Sequence, residues 1–384
     1  MSNISLILLG AGESSRFKTK TKKQWLRIED KPMWLLVLET FHKLNIFNKI
    51  ILTAHKDELN FYKYISNIEN CEFISGGSSR QESIQNSLKY INSEFIMISD
   101  IARCFIPEDL IFRILELKNS GDVIVPYLSV SDTVVFGNQT INRDEVKLIQ
   151  TPQLSNTAIL KKYINSNINI FTDESSLIAE NGGKRVFVLG DVRAKKITFL
   201  SDLKDSECFK ISRFNDKIKI GNGVDVHQFK IKEIDEPMKL GGIEIDSPLS
   251  FLAHSDGDVL IHSLIDAILG ASGLSDIGEL FPDNDSKYRG ISSIELLKLV
   301  KDLIEKLGLE FISADITVLA ETPRLKKYKL DIRKHLANIL KVDLFNINIK
   351  ATTTEKLGFI GRKEGLMVLS TATIKNIDWR KWTE

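Results

Sequence analysis

At 384 residues and 43.5 kDa, the chain has room for two or three domains, each with its own core. A composition 43% hydrophobic and 27% charged excludes a disordered chain, a collagen-like repeat and a small disulfide scaffold. Lys+Arg and Asp+Glu nearly cancel, 52 against 51. Neither nucleic acid nor a membrane is therefore an expected partner, and any anionic ligand must be held by local features.

The opening MSNISLILLGAG has no basic leader and too short an apolar run for a signal peptide. No stretch is apolar enough for a transmembrane helix. Cys71, Cys104 and Cys208 are widely spaced with no CxxC, which suits a reducing, cytoplasmic setting. Ile4 to Leu9 reads as a buried parallel strand ending at a glycine-rich loop. Met33 to Leu44 has helical spacing, Lys49 to Thr53 is a second strand, and Phe95 to Ser99 and Asp122 to Pro126 are further strands. This alternation predicts a doubly wound α/β domain with a mainly parallel sheet, its ligands at the C-terminal strand ends. Residues 201–220 are polar and mixed in charge, a plausible junction, so domains over 1–212 and 213–384 are expected. Beyond it, GNGVDVHQF starts a new strand, Val259 to Leu269, Ser293 to Leu307 and Asp331 to Leu340 read as helices, and Ile312 to Leu319 and Phe345 to Ala351 as strands. That mixture predicts a compact α+β or α/β unit.

Two groups of residues carry chemistry. In Gly10-Ala11-Gly12-Glu13-Ser14-Ser15-Arg16, small residues let backbone N–H groups approach an anion, with a following helix to point its positive end there. The same residues also read as a tight turn, and the nearby lysines as a solvated loop. Arg16 and Lys23 supply the fixed positive charge a triphosphate needs. In the second half, Asp225 and His227 are two apart on a strand and share a face. With His262 on the first turns of a helix they make a three-ligand set that leaves a tetrahedral zinc one open position. DxH is also a common surface pair, and a lone histidine on an apolar helix is often a satisfied core residue. Asp266, one turn beyond His262, reads either as an outer partner of the metal or as a solvent-facing residue.

GAGESSRF, KKQWL, Gly76 to Ile84, Ser99 to Arg103, Thr151-Pro152-Gln153 and Thr172 to Ser175, in that order, resemble the nucleotide-sugar-pyrophosphorylase-like family. The nearer likeness is to the 2-C-methyl-D-erythritol 4-phosphate cytidylyltransferases. That resemblance implies a Rossmann-like nucleotidyltransferase domain transferring CMP from CTP to methylerythritol phosphate with release of pyrophosphate. Gly10, Ala11 and Gly12 would cradle the phosphates and Arg16 and Lys23 would stabilise the α-phosphate. Gly77 and Ser83 would read cytosine. Asp100, Arg103, Arg143, Thr151, Thr172 and Lys196 would hold the methylerythritol phosphate, Arg143 from a dimer partner, with magnesium or manganese on the nucleotide phosphates. Asp100 also reads as a helix N-cap. Lys22, Ile101 and Cys104 depart from the family's usual Pro, Ala and Pro. Lys22 is expected to add charge beside the triphosphate, and the other two to reshape the loop near the substrate.

Gly221 to Phe229, Leu252 to His262, Asp276 to Asp283 and Ala351 to Gly365 resemble the 2-C-methyl-D-erythritol 2,4-cyclodiphosphate synthases. This implies an α+β domain closing a cyclic diphosphate and expelling CMP, with zinc or another divalent cation on Asp225, His227 and His262. Glu355 would hold a magnesium or manganese ion between the α- and β-phosphates. His254 and Ser255 would line the diphosphate end, and Thr352 and Thr353 would contact phosphate across a subunit boundary. Asp276, Gly278 and Asp283 would hold the sugar alcohol, and Phe359 would join the substrate contacts. Arg362 reads either as an anion contact on a trimer axis or as a surface ion pair. Together the likenesses imply a bifunctional enzyme of the non-mevalonate isoprenoid route with nucleotide and sugar-alcohol phosphate substrates. They also imply a dimeric first domain, a trimeric second one and a closed homo-oligomer such as a hexamer. A kinase step separates the two reactions, so the first product is expected to leave the protein. The rival readings are a CTP-binding regulatory scaffold fused to an active synthase, and a zinc-stabilised structural module in the second half.

Overall fold

The computed structural model describes residues 3–66, 68–166, 171–206, 209, 215–233, 237–253, 256–282 and 290–382. The chain divides into two compact units, Met1–Phe214 with Asp378–Glu384, and Asn215–Ile377.

The first unit is built on one sheet with neighbours in the order Lys147–Ile149, Val123–Ser129, Gln153–Asn156, Phe95–Asp100, Ile4–Leu9, Lys49–Ala54 and Cys71–Ser75; Arg185–Leu189 also pairs with Val123–Ser129. The four strands from Phe95–Asp100 to Cys71–Ser75 run parallel. Their near-continuous Ile, Leu and Phe runs are what a sheet covered on both faces requires. Gln153–Asn156 lies antiparallel between Phe95–Asp100 and Val123–Ser129. Its short TPQ approach carries no period-two signal, so the sequence does not announce this reversal. Ile7, Ile51, Ile96, Ile98, Val123 and Val125 belong to one buried aliphatic cluster that also takes in Ile84 and Leu177. Trp25, Trp34, Tyr62 and Phe73 form a second, aromatic one. The returning segment adds Trp379, which is buried, stands edge-on to Phe209 at 4.6 Å between ring centroids and donates Nε1–H to the Arg27 carbonyl at 3.0 Å. Part of the polar 201–220 stretch is likewise ordinary domain structure: Asp202–Asp205 is helical and Leu203 is buried.

The second unit has a five-stranded sheet in the order Leu249–Phe251, Lys219–Ile231, Gly365–Asn376, Leu309–Leu319 and Ile347–Thr352, in which only the last pair is parallel. The Val259–Ser272 helix packs on Lys219–Ile231 and Gly365–Asn376. Gly223 makes that approach possible: a Cβ there would sit 2.0 Å from the Ser263 carbonyl oxygen. Ser263 fastens the same contact, its Oγ donating to the Gly223 carbonyl at 3.0 Å and lying 2.8 Å from Ser370 Oγ. Strand alternation then puts Asp225 and His227 on the helix side and Val224 and Val226, both exposed, on the other. Both units match the expected α/β and α+β classes.

Candidate functional sites

The first site is a cleft of about 420 Å³ at the C-terminal ends of the parallel strands, lined by Gly10, Ala11, Gly12, Arg16, Lys23, Gly77, Ser83, Asp100 and Lys196 among others. Two loops meet in it. A Cβ on Gly76 would fall 2.3 Å from the Ala11 Cβ, so the phosphate loop and the Gly77–Ser83 loop sit against each other only because position 76 has no side chain. Ser83 Oγ accepts from the Gly77 amide at 3.0 Å, holding that loop in shape. The glycine loop leads into a single 3-10 turn, Ser15–Phe17, too short to bring a helix dipole. The charge there comes from side chains, and the expected helix N-terminus is corrected accordingly.

Asp100 closes its strand and is buried; it caps no helix. Its Oδ2 takes Lys196 Nζ at 3.0 Å and the Thr151 hydroxyl at 3.3 Å, and Arg103 Nε donates to Thr151 Oγ1 at 2.8 Å. Burial alone would raise the Asp100 carboxyl, but Lys196, Arg80 and Arg103 hold it down at about 2. Lys23 is the counterpart: burial and then the neighbouring Lys196 bring its ammonium down to about 8, and its Nζ donates to the Ile197 carbonyl at 3.2 Å. A desolvated ammonium with few partners of its own is poised to gain from an incoming phosphate.

Lys22 does not add its charge to this cleft. Its Nζ lies 2.7 Å from buried Glu58 and 2.9 Å from Glu13, because Glu58, which also accepts from Trp25 Nε1 at 2.8 Å, needs a cation. Ile101 does line the cleft, whereas Cys104 is buried with its Sγ 3.3 Å from Ser206 Oγ. Arg143 is exposed, donating to the Ser131 carbonyl at 2.7 Å, and Thr172 is exposed before the Asp173 cap; neither is among the residues lining the cleft of its own chain. Arg80 and Glu174 lie within the sequence motifs, yet no local pattern marks them as a pair. The Arg80 guanidinium meets the buried Glu174 carboxylate and lies 3.8 Å from Asp100, joining the Gly77–Ser83 loop to the Asp173–Glu174 turn.

In the second site, the described residues bring together one group of metal-ligating side chains, Asp225, His227 and His262, whose donor atoms all lie within 4.8 Å of one another. Asp258 starts the helix that carries His262. It is buried, accepts from the Ile261 amide at 3.1 Å and ties in the Gly241 and Gly242 amides at 2.9 and 2.6 Å. Both His227 Nδ1 and His262 Nδ1 are 3.2 Å from Asp225 Oδ2. The His227 atom is buried without a hydrogen bond: the separation is right and the direction is not. Two donors about 2.0–2.1 Å from one tetrahedral ion lie roughly 3.3 Å apart, so the spacing fits a shared divalent cation, with His262 Nδ1 hydrogen-bonded to Asp225 in the metal-free chain. Burial opposes it, yet the two imidazoles hold the Asp225 carboxyl at about 2. Burial also opposes the rise of His262, which Asp225 nevertheless causes. Asp266 is half-buried and accepts from the Ile277 amide at 2.9 Å, so it anchors the next turn instead of facing solvent.

Asp276 caps that turn through the Glu279 amide at 2.9 Å, with Gly278 inside it. His254, Ser255 and Asp283 lie outside the described residues. Glu355 is exposed and takes the Thr353 hydroxyl at 3.0 Å. Thr352, in register with Leu319, Met367 and hence Val226, is three strands from the Asp225–His227 pair, about 14 Å at the usual strand spacing. Phe359 is half-buried, and Arg362 is exposed and forks onto Glu364 at 2.8 and 3.0 Å.

A cation-lined cleft at the strand ends of a Rossmann-like sheet, together with a separate carboxylate–imidazole group that could hold a metal ion, points to a nucleotidyltransferase fused to a second enzyme domain. Residues 4–211 match the family model of 2-C-methyl-D-erythritol 4-phosphate cytidylyltransferase, and residues 218–375 that of the YgbB family. The chain is 47% identical to the bifunctional enzyme IspD/IspF of Aliarcobacter butzleri, over 99% of this chain and all of that one. It is 48% identical to the enzyme so named of Sulfurimonas denitrificans, over 98% and 96%. The solved structure of the bifunctional IspDF from Campylobacter jejuni superposes with a TM-score of 0.85 at 46% identity, covering 99% of this chain and all of that one. The chain belongs to the family of bifunctional IspD/IspF enzymes of isoprenoid precursor biosynthesis, with a cytidylyltransferase domain and a cyclodiphosphate synthase domain. Among the described residues no helix is long and apolar enough to cross a membrane.

Proposed function

We propose that the first domain joins CTP to 2-C-methyl-D-erythritol 4-phosphate, releasing pyrophosphate, and that the second converts the 2-phosphorylated cytidine diphosphate product to 2-C-methyl-D-erythritol 2,4-cyclodiphosphate and CMP. The observation that carries the first half is the pairing of buried Asp100 with Lys196 beside Arg16 and Lys23 in one cleft. Gly10, Ala11 and Gly12 pass their backbone along the triphosphate, while Gly77 and Ser83 face the cytosine. Arg16 and Lys23 hold the charge that builds on the α-phosphate as the methylerythritol phosphate oxygen attacks it. Asp100, Arg103, Thr151, Thr172 and Lys196 orient the attacking substrate, and Arg143, exposed in its own chain, serves a dimer partner's cleft.

In the second domain Asp225, His227 and His262 hold a divalent cation, zinc fitting the donor set best. Such an ion, when bound, would supply alignment and polarisation for the phosphate that closes the ring. Thr352 and Thr353 contact the diphosphate of a substrate bound to a neighbouring subunit's Asp225 group, and Glu355 would hold the magnesium or manganese ion that neutralises the diphosphate. The three-strand separation within one chain supports that sharing, and the exposed apolar Ile220, Val224 and Val226 support a subunit contact on the same strand. A closed assembly of dimeric first domains and trimeric second ones in the cytoplasm completes the reading. The test offers the full chain CTP plus methylerythritol 4-phosphate and, separately, the phosphorylated cytidine diphosphate intermediate. Pyrophosphate is expected only from the first and CMP only from the second. CTP binding without turnover in the first mixture points instead to a regulatory scaffold.

A further inference from the structure

His262 uses both ring nitrogens. Nδ1 faces Asp225, and Nε2, on the opposite side of the ring, lies 2.9 Å from Ser293 Oγ. Ser293 is fully buried in the first turn of the Ser293–Lys306 helix, but its hydroxyl does not cap that helix; Ser292 does, accepting from the Glu295 amide at 3.3 Å. Ser293 turns instead to Asp256. Its amide donates to the two carboxylate oxygens at 3.2 and 3.1 Å, and its hydroxyl makes a short hydrogen bond to Oδ1.

The direction of this chain comes from counting protons. A carboxylate only accepts, so the Ser293 hydroxyl spends its one proton on Asp256 and meets the imidazole as an acceptor. Nε2 must then carry a proton toward Ser293, while Nδ1, hydrogen-bonded to the Asp225 carboxylate in the metal-free chain, is the nitrogen whose proton a cation displaces. Resting on the proposed metal site, we infer that Ser293 and Asp256 are positioning residues for the cation. They keep the proton on Nε2 and fix the plane of His262, so that Nδ1 is the nitrogen presented to the ion. The residues come from three separate places: the loop before the Val259–Ser272 helix, that helix, and the start of the next long one. None touches the reacting phosphates in this reading; they act through His262. Outer partners of this kind typically change metal affinity by about 10–100-fold.

The test measures zinc affinity of the full metal-free chain by competition with a chromogenic chelator, using zinc ions alone. Ser293→Ala and Asp256→Asn are each expected to weaken binding by about 10–100-fold. Asp256→Asn keeps the side-chain shape, but its amide can donate to Ser293 and release the hydroxyl proton toward Nε2, favouring the wrong tautomer. His227→Ala is the reference variant. If it binds zinc like the parent, the metal reading falls and this inference falls with it. If it loses the site while Asp256→Asn and Ser293→Ala stay within about threefold of the parent, the metal reading stands and the positioning role is overturned. Should Ser293→Ala fail to fold, Asp256→Asn decides alone. A lower melting temperature of metal-free Asp256→Asn with unchanged zinc affinity marks a merely structural role and also overturns the inference.

Discussion

The two sites prepare for phosphate in opposite ways. In the first, cations are built in: Arg16, Lys23 and Lys196 line the cleft, and desolvation brings Lys23 down to about 8. In the second, the chain concentrates donors, with Asp225 held at about 2, and on the proposed reading takes its positive charge from a bound cation. Built-in charge needs no recruitment but must be held against its own repulsion, which is what Asp100 does for Lys196. Recruited charge is stronger locally, but its site competes with protons for the same imidazoles. One site should therefore weaken toward alkali and the other toward acid.

The sharpest way to break this comparison is Asp225→Asn. CMP release should fall on the order of a thousandfold, several kcal/mol of barrier, while pyrophosphate release stays within about twofold; parallel loss of both would show that the domains are not independent. Next is Arg80→Met. Leaving Glu174 buried without its partner should destabilise the first domain by about 3–5 kcal/mol, seen calorimetrically as a lower first-domain transition with the second-domain transition unmoved. The pH contrast is smaller. Lys23 binds phosphate in its charged form, so CTP affinity should decline as pH rises through about 8, and binding near pH 8.5 should take up protons, measurable by titration calorimetry in buffers of different ionisation enthalpy. Zinc affinity should move the other way, declining as acid protonates His262, whose basicity is raised. The smallest effect belongs to Lys22→Met. Because its charge is spent on Glu58 and Glu13, the KM for CTP should change by less than about threefold even though stability drops.

What the sequence reveals depends on how far apart the partners are. The strand at Ile4–Leu9 comes from its continuous apolar run, the shared face of Asp225 and His227 from period two, and the helix carrying His262 from its apolar run. Asp258 is readable in principle, as an Asp just before that run. Lys22 with Glu58, Arg80 with Glu174 and His262 with Ser293 are joined only by the fold, and no local pattern marks either end of such pairs. The chain neighbours of Lys22 point it at the triphosphate, but a carboxylate 36 residues away sets its position.

The buried Trp379 has a consequence for how the protein is made. A ribosome finishes residue 214 long before it reaches residue 379, and domains generally fold in order of synthesis. Yet the indole that packs on Phe209 and the Arg27 carbonyl arrives only after the entire second domain has been translated. The first domain to emerge is thus the last to be completed. A gene cut between the two halves would give a first product with a hole where a tryptophan belongs, a loss of about 3–5 kcal/mol by analogy with large-to-small core changes.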